Sequence, residues 1–335
     1  MTEKIAVIGG GSWGTTLASM LSSKGQAVSL WVYEKDLALR MAETRINDLY
    51  LPGNRLPDGL AITSSLEEAV RGSGIVLMVT PSHVTRRVLD GAAPFVSEDA
   101  VVVSATKGIE NDTLMLMSEV VEDVLPKSFH SRLAYISGPS FAKEVAAGMP
   151  TAVSVASRNP AAAARVQAAF NTEYFRVYTN PDVLGVELGG SLKNVIAIAA
   201  GCSDGLGFGH NTKAALITRG LAEIARLGAA MGANPLTFAG LSGMGDLVLT
   251  CTGGLSRNRM VGEKLGQGMN IDEVVGEMTM VAEGVNTAKA AYGLSKKYGV
   301  TMPIVEQTYL LLYEGKDPKR VVRDLMTRDL KSELG

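Results

Sequence analysis

Short apolar runs alternate with longer stretches of helical spacing through the first half of the chain. KIAVI (residues 4–8) leads into a helical pattern over about residues 14–24, and AVSLWVY (27–33) leads into a charged helical stretch. The later apolar runs are GIVLMVT (74–80), AVVVSAT (100–106), LAYIS (133–137) and TAVSVAS (151–157). Continuous apolar strands set between helices predict a parallel sheet covered on both faces. A Pro/Gly-rich loop, YLPGNRLPDG (50–59), interrupts the series without ending it. After about Asn180 no further strand is predicted. Helical patterns follow one another, broken by GLGFGHN, GANP, CTGGLS, KYGVTMP and EGKDP. The expected architecture is an α/β domain over residues 1–185 followed by an all-α domain over 186–335.

One helical stretch departs from amphipathic patterning. In LGGSLKNVIAIAAG (188–201) the residues beyond Asn194 are apolar on every face, which predicts a buried helix containing Lys193. The neighbours three and four positions away are Gly189, Gly190, Ile196 and Ala197, and none carries a carboxylate. A lysine in such a helix should snorkel or pair. The two glycines leave room for a ligand or permit close helix packing, and the sequence keeps both readings open.

The first strand runs into Gly9, Gly11 and Gly14 in G-x-G-x-x-G order and opens a helix, the context that predicts a dinucleotide phosphate site. The domain is therefore expected to be of Rossmann type. Glu34 follows the second strand about 20 residues after the third glycine. It either accepts bonds from the adenosine ribose and disfavours a 2′-phosphate, or is a solvated helix-start residue, so NAD and NADP both remain open as cofactors. Lys107 lies just past a strand end, where ligands sit in open α/β sheets. Gly138 and Ser140 follow another strand, where they can start a helix and offer N–H and hydroxyl donors. GLSGMGDLVLTCTGGLSRNR carries Asp246, Thr250, Ser256, Arg257, Asn258 and Arg259. Ser256 is placed to cap the next helix, and a helix start beside an arginine suits a phosphate. Lys107, Asp246 and the arginines read equally well as surface or turn residues.

Composition narrows the partners. The 335 residues suggest about two domains. The formal net charge of -2 and the absence of a basic tract point away from nucleic acid and anionic membranes. Cys202 and Cys251 make no disulfide framework, and His83, His130 and His210 match no metal-ligand spacing, so no metal is expected. The first apolar run is too short for a signal-peptide core, and no membrane span is expected, so the chain reads as cytoplasmic.

Taken together, the motifs resemble bacterial NAD(P)-dependent glycerol-3-phosphate dehydrogenases. The resemblance runs nearly the whole chain through GGGSWGTTLA, VTPSHV, ATKGIE, ISGPSFAKEVAAGMPTA, GVELGGSLKNVIAIAAG, ALITRGLAEI, GLSGMGDLVLTCTGGLSRNR and VAEGVNT. It implies a Rossmann-type domain and a helical domain with the active site between them. The implied reaction interconverts dihydroxyacetone phosphate and sn-glycerol 3-phosphate, for glycerophospholipid synthesis, in a homodimer. Lys193 matches the family's proton donor and acceptor. Lys107, Gly138, Ser140, Asn194, Asp246, Thr250, Arg257 and Asn258 match its substrate positions, with Ser256 beside them. Ser12, Trp13, Tyr33, Ala142, Val281 and Glu283 match cofactor positions, joining Gly9, Gly11, Gly14 and Glu34, and Lys107 and Arg257 are shared. One departure is Tyr33-Glu34, where many relatives carry His or Arg. Burial and the Lys107 charge would lower the pKa of Lys193 toward a useful acid–base range, and Asp246 would oppose them. A β-hydroxyacid dehydrogenase is a rival, but its G-x-x-x-K-x-x-x-N signature meets Ala197 where the second Asn belongs. A dinucleotide sensor without catalysis is the other rival, and would need neither lysine.

Overall fold

Among the described residues, eight strands form one sheet in the order β3-β2-β1-β4-β5-β6-β7-β8. They are β1 (Lys4–Ile8), β2 (Ala27–Trp31), β3 (Ala61–Thr63), β4 (Ile75–Met78), β5 (Val101–Ser104), β6 (Leu133–Ser137), β7 (Thr151–Ala156) and β8 (Phe175–Asn180). The computed structural model describes residues 3–278, 280–330 and 332–333. Helices cover the sheet: α1 (Ser12–Ser23), α2 (Lys35–Thr44), α3 (Leu66–Val70), α4 (Ser82–Ala92), α5 (Met117–Val124), α6 (Ala142–Ala146) and α7 (Pro160–Phe170). The order β3-β2-β1-β4-β5-β6 is that of the doubly wound dinucleotide-binding fold, so the α/β expectation holds. Its crevice lies at the C-terminal ends of β1 and β4, where the strand order reverses.

Two strands and one direction depart from the sequence pattern. β3 has three residues, too few to register as an apolar run. β8 is an edge strand whose first four residues alternate buried and exposed, so it lacks the continuous apolar signature of the others. β7 pairs antiparallel with β6 although every other pairing is parallel. The connecting helix α6 has only five residues, a rise of roughly 7.5 Å, and β7 starts beside the C-terminal end of β6 and runs back along it. The N-terminus of α6 therefore stays at the crevice, where the Ala142 carbonyl accepts a bond from the Thr16 hydroxyl of α1 (3.2 Å).

Among the described residues, helices alone follow β8: α8 (Val183–Gly205), α9 (His210–Met231), α10 (Asp246–Thr252), α11 (Arg257–Gly266), α12 (Ile271–Gly276), α13 (Glu283–Lys297), α14 (Pro303–Tyr313) and α15 (Pro318–Met326). α8 is the axis of this domain. Its Leu192, Val195 and Ile196 are buried in one cluster with Ile224 and Leu227 of α9, Leu294 of α13 and Val305 of α14. Among the described residues it alone is long and apolar enough to cross a membrane, with mean hydropathy 1.4, but 89% of that window is buried inside the protein. Apolar residues all round are what a central helix requires.

α11 lies on α8 almost backbone to backbone. A Cβ added at Gly262 would stand 1.9 Å from the Ile198 carbonyl oxygen, and one at Gly201 1.9 Å from that of Arg259. This approach sets where the first residues of α11 stand relative to Lys193. Gly262→Ala should push the helices apart and cost about 1–3 kcal/mol, read as a lower thermal-unfolding midpoint. Gly276→Ala, whose methyl meets nothing within 4 Å, should not lower it.

Candidate active site

The turn after β1 is built by its glycines. Gly9 has φ +132°, and a Cβ there would stand 2.6 Å from the Val79 carbonyl oxygen. At Gly14 a Cβ would lie 1.9 Å from the Gly9 oxygen, so only glycine lets α1 pack on its own strand. Gly11 faces open space and caps α1 with no side-chain bond. The first N–H groups of α1, at Ser12, Trp13 and Gly14, thus lack a capping side chain and can hold an anion. Asn47, which the sequence did not single out, clamps this turn: its Nδ2 donates to the Gly10 oxygen and to Thr15 Oγ1, both at 2.8 Å. An open backbone cradle at a helix start fits a dinucleotide pyrophosphate. Trp13 packs beside it against Phe175, with ring centroids 6.3 Å apart. At the end of β2, Tyr33 is exposed, and Glu34 Oε1 accepts a bond from the Tyr50 hydroxyl at 2.8 Å. Burial and the Glu34 carboxylate push the Tyr50 hydroxyl up to about 12, so it remains a donor. Glu34 is thereby fixed rather than loosely solvated.

The carboxylate absent around Lys193 in sequence arrives from 53 residues away. Lys193 Nζ lies 2.5 Å from Asp246 Oδ1 and 2.9 Å from Thr250 Oγ1. Lys107 Nζ, from the loop after β5, takes the other oxygen, Asp246 Oδ2, at 2.8 Å and the Gly138 carbonyl oxygen at 2.8 Å. One carboxylate, itself 1% exposed, bridges two ammonium groups. Asp246 opens α10 directly after a single π turn at Leu241–Gly245. The glycines beside Lys193 serve close packing. A Cβ at Gly189 would stand 2.4 Å from the Ser242 carbonyl oxygen of that turn, and one at Gly190 2.3 Å from Ser137 Oγ of β6. Burial lowers the Lys193 pKa to about 8, Asp246 opposes the shift, and the Lys107 charge adds to it.

A second chain of bonds borders the lysines. Asn258 Nδ2 donates to Asn194 Oδ1, and the Gly284 N–H donates to Asn258 Oδ1, both at 2.9 Å. Next to Gly284, Glu283 accepts from the Ser82 N–H (2.9 Å) and hydroxyl (2.6 Å) at the start of α4. Both Glu283 oxygens are therefore engaged across the two domains. Gly108 makes room for this pairing, since a Cβ there would stand 2.5 Å from Ser82 Oγ. Burial raises the Glu283 carboxyl pKa. Ser82 sits in the quoted VTPSHV motif, but nothing in the sequence tied it to Glu283.

Ser256 caps α11 as expected, accepting from the Arg259 N–H at 3.2 Å. Arg257 follows as the first helical residue and donates to the Val281 carbonyl oxygen at 2.8 Å. Arg259 is separated from this group by ion pairs with Asp204 and Glu263. Ser140 does not cap a helix: α6 starts after Phe141, and the Ser140 hydroxyl donates to the Gly138 oxygen at 2.9 Å. The Gly138 carbonyl oxygen also accepts from Lys107. Cys251 is buried, and burial pushes its thiol up to about 12, which suits a packing role. Among the described residues no group of three His, Cys, Asp or Glu side chains could hold a metal ion.

Comparison with known proteins covers the whole chain. Residues 4–163 match the N-terminal profile, and residues 182–323 the C-terminal profile, of NAD-dependent glycerol-3-phosphate dehydrogenase. A glycerol-3-phosphate dehydrogenase (NAD(P)+) of Geobacter sp. (strain M21) is 62% identical over 333 residues, 99% of either chain. The crystal structure of glycerol-3-phosphate dehydrogenase from Coxiella burnetii matches with TM-score 0.93 at 40% identity, covering 98% of this chain and 99% of that one. The enzyme from Saccharomyces cerevisiae matches with TM-score 0.82 at 28% identity, over 98% of this chain and 100% of that one.

The fixed carboxylate at the end of β2 bears on the choice between NADH and NADPH. Glu34→Ala removes a negative charge from the expected ribose pocket and should raise kcat/KM with NADPH relative to NADH. An unchanged ratio would place the ribose elsewhere.

Proposed function

This chain belongs to the NAD-dependent glycerol-3-phosphate dehydrogenase family, and we propose that Lys193, oriented by Asp246, moves the proton in its reaction. The enzyme is an NAD(P)-dependent oxidoreductase that interconverts dihydroxyacetone phosphate and sn-glycerol 3-phosphate. The observation that supports the assignment is the buried Lys193–Asp246–Lys107 bridge at the strand ends.

Bound dinucleotide supplies hydride to C2 of the ketone, or removes it from the alcohol. The chain must handle the proton on the C2 oxygen. In reduction the Lys193 ammonium donates a proton to that oxygen, and in oxidation the neutral amine takes it back. A pKa near 8 makes both forms accessible near neutral pH. Asp246 and Thr250 orient Nζ through the two bonds given above. Lys107 supplies a second cation, which disfavours the charged form of Lys193 and suits an anionic substrate. Arg257, beside the start of α11, supports the substrate phosphate by guanidinium and helix N–H donors together. The cradle of Gly9, Gly11 and Gly14 with Ser12 and Trp13 supports the dinucleotide. Glu283 acts in this reading through Ser82, holding the start of α4 against α13. A sensor without turnover would have no use for a buried lysine so held.

The homodimer and the supply of glycerophospholipid synthesis are taken from the family resemblance, whereas the cytoplasmic setting and the division between residues 1–185 and 186–335 are taken from the sequence pattern. That division falls in the first turn of α8.

Lys193→Met keeps side-chain length and removes the proton. Turnover should fall by about 10²–10⁴ with dinucleotide binding retained by fluorescence titration. Lys107→Met should act mainly on KM, and the reverse pattern would exchange the two roles. The pH profiles should mirror each other. Oxidation needs neutral Lys193 and should rise as pH passes about 8, whereas reduction needs the ammonium and should fall there. Asp246→Asn removes the charge that raises this pKa, so both limbs should move to lower pH.

Arg257→Ala should cost about 2–5 kcal/mol in kcat/KM for the phosphorylated ketone, and far less for unphosphorylated dihydroxyacetone. Equal losses on both would assign Arg257 to the cofactor or the fold.

A further inference from the structure

The helical domain contains a second concavity that shares no residue with the crevice. A cavity of about 340 Å³ lies between α8, α9, α14 and α15. Its walls are largely apolar, with Ala199, Leu216, Ile304, Leu311, Val321 and Leu325 among them. Its size falls within the range of small-molecule sites, roughly 300–1,000 Å³.

Two independent features make it more than a packing gap. Ser203 of α8 lines the cavity, is 3% exposed, and its hydroxyl has no hydrogen-bond partner among the described residues. Buried hydroxyls are normally partnered, so this one is available to a ligand. The second feature is cationic. Arg219 and Arg226, two helical turns apart on one face of α9, line the cavity with Arg328. Glu223 lies between the two in sequence but is committed elsewhere. Its carboxylate accepts the N–H groups of Ile304 (2.8 Å) and Val305 (3.2 Å) at the start of α14. Arg226 donates to the Thr301 carbonyl oxygen, and Arg219 to that of Glu333, both at 3.1 Å. Asp329 is the other carboxylate in the lining, against three guanidiniums.

Apolar walls with an excess of guanidinium donors describe an amphiphile. We propose that this cavity binds a single hydrocarbon chain bearing one anionic head group, with the head at Arg219, Arg226 and Arg328 and the chain against the apolar wall. Guanidinium forks match carboxylate and phosphate oxygens in pairs, whereas neutral heads would leave the charges uncompensated.

Calorimetric titration of the full chain with straight-chain carboxylates, hexanoate to dodecanoate below their micellar concentrations, tests the proposal. Binding should saturate at one per chain and tighten about fourfold per methylene until the cavity is filled. Decanol should bind more weakly than decanoate. Arg226→Met should weaken decanoate roughly tenfold or more, and Leu216→Trp should abolish binding by filling the cavity. Both variants should keep wild-type turnover of dihydroxyacetone phosphate, because neither residue lies in the crevice. Non-saturating uptake, or binding indifferent to both substitutions, would overturn the proposal. So would sedimentation showing a dimer that Leu216→Trp dissociates, since a second copy would then cover the cavity.

Discussion

One buried carboxylate between two cations organises the centre of this enzyme. Asp246 is almost completely excluded from solvent and bonds Lys193 with one oxygen and Lys107 with the other. Burying Asp246 and Lys193 beside the partly buried Lys107 is expensive, and the attraction among them offsets that cost only with close geometry and further hydrogen bonds. Thr250 and the Gly138 carbonyl supply those bonds. The arrangement still carries one positive charge more than it neutralises. That surplus suits a site whose substrate is a phosphate ester, and the Lys107 charge adds to the effect of burial in lowering the Lys193 pKa.

Such a triad needs its three backbones close together, and glycine provides the approach. α8 can bring Lys193 against β6 and the π turn because Gly189 and Gly190 have no side chains to collide with Ser242 and Ser137. The same device seats α11 on α8 through Gly201 and Gly262. The glycines beside Lys193 thus create no space for a ligand. They bring main chain near enough for a carboxylate on another helix to reach the amine. The room for a ligand lies beyond the lysines, in the crevice at the strand ends, where α1 presents its N-terminus.

The two domains also meet through polar bonds. Ser82 of α4 binds Glu283, the adjacent Gly284 N–H binds Asn258, and Asn258 binds Asn194 next to Lys193. This path joins the start of a helix in the dinucleotide domain to the helix that carries Lys193. Burial strengthens each bond and penalises any loss. The register between the dinucleotide domain and Lys193 therefore depends on residues outside the Lys193–Asp246–Lys107 bridge.

The sequence by itself determined whatever depends on near neighbours. Apolar runs marked six of the eight strands, the glycine spacing marked the phosphate cradle, and the all-apolar faces beyond Asn194 marked α8 as buried. The family motifs located Lys193, Lys107, Asp246 and Arg257 because each sits in a recognisable local string. Local signals could not give the three-residue β3, the half-exposed edge strand β8, or the reversal of β7, whose direction is set by strand pairing in space. Nor could they show that Ser82 holds Glu283, that Asn47 clamps the glycine turn, or that Arg259 is drawn away by Asp204. The lysine without a carboxylate within one helical turn is the clearest case. Its partner lies 53 residues along the chain, and only the packing of α10 against α8 brings the two within bonding distance.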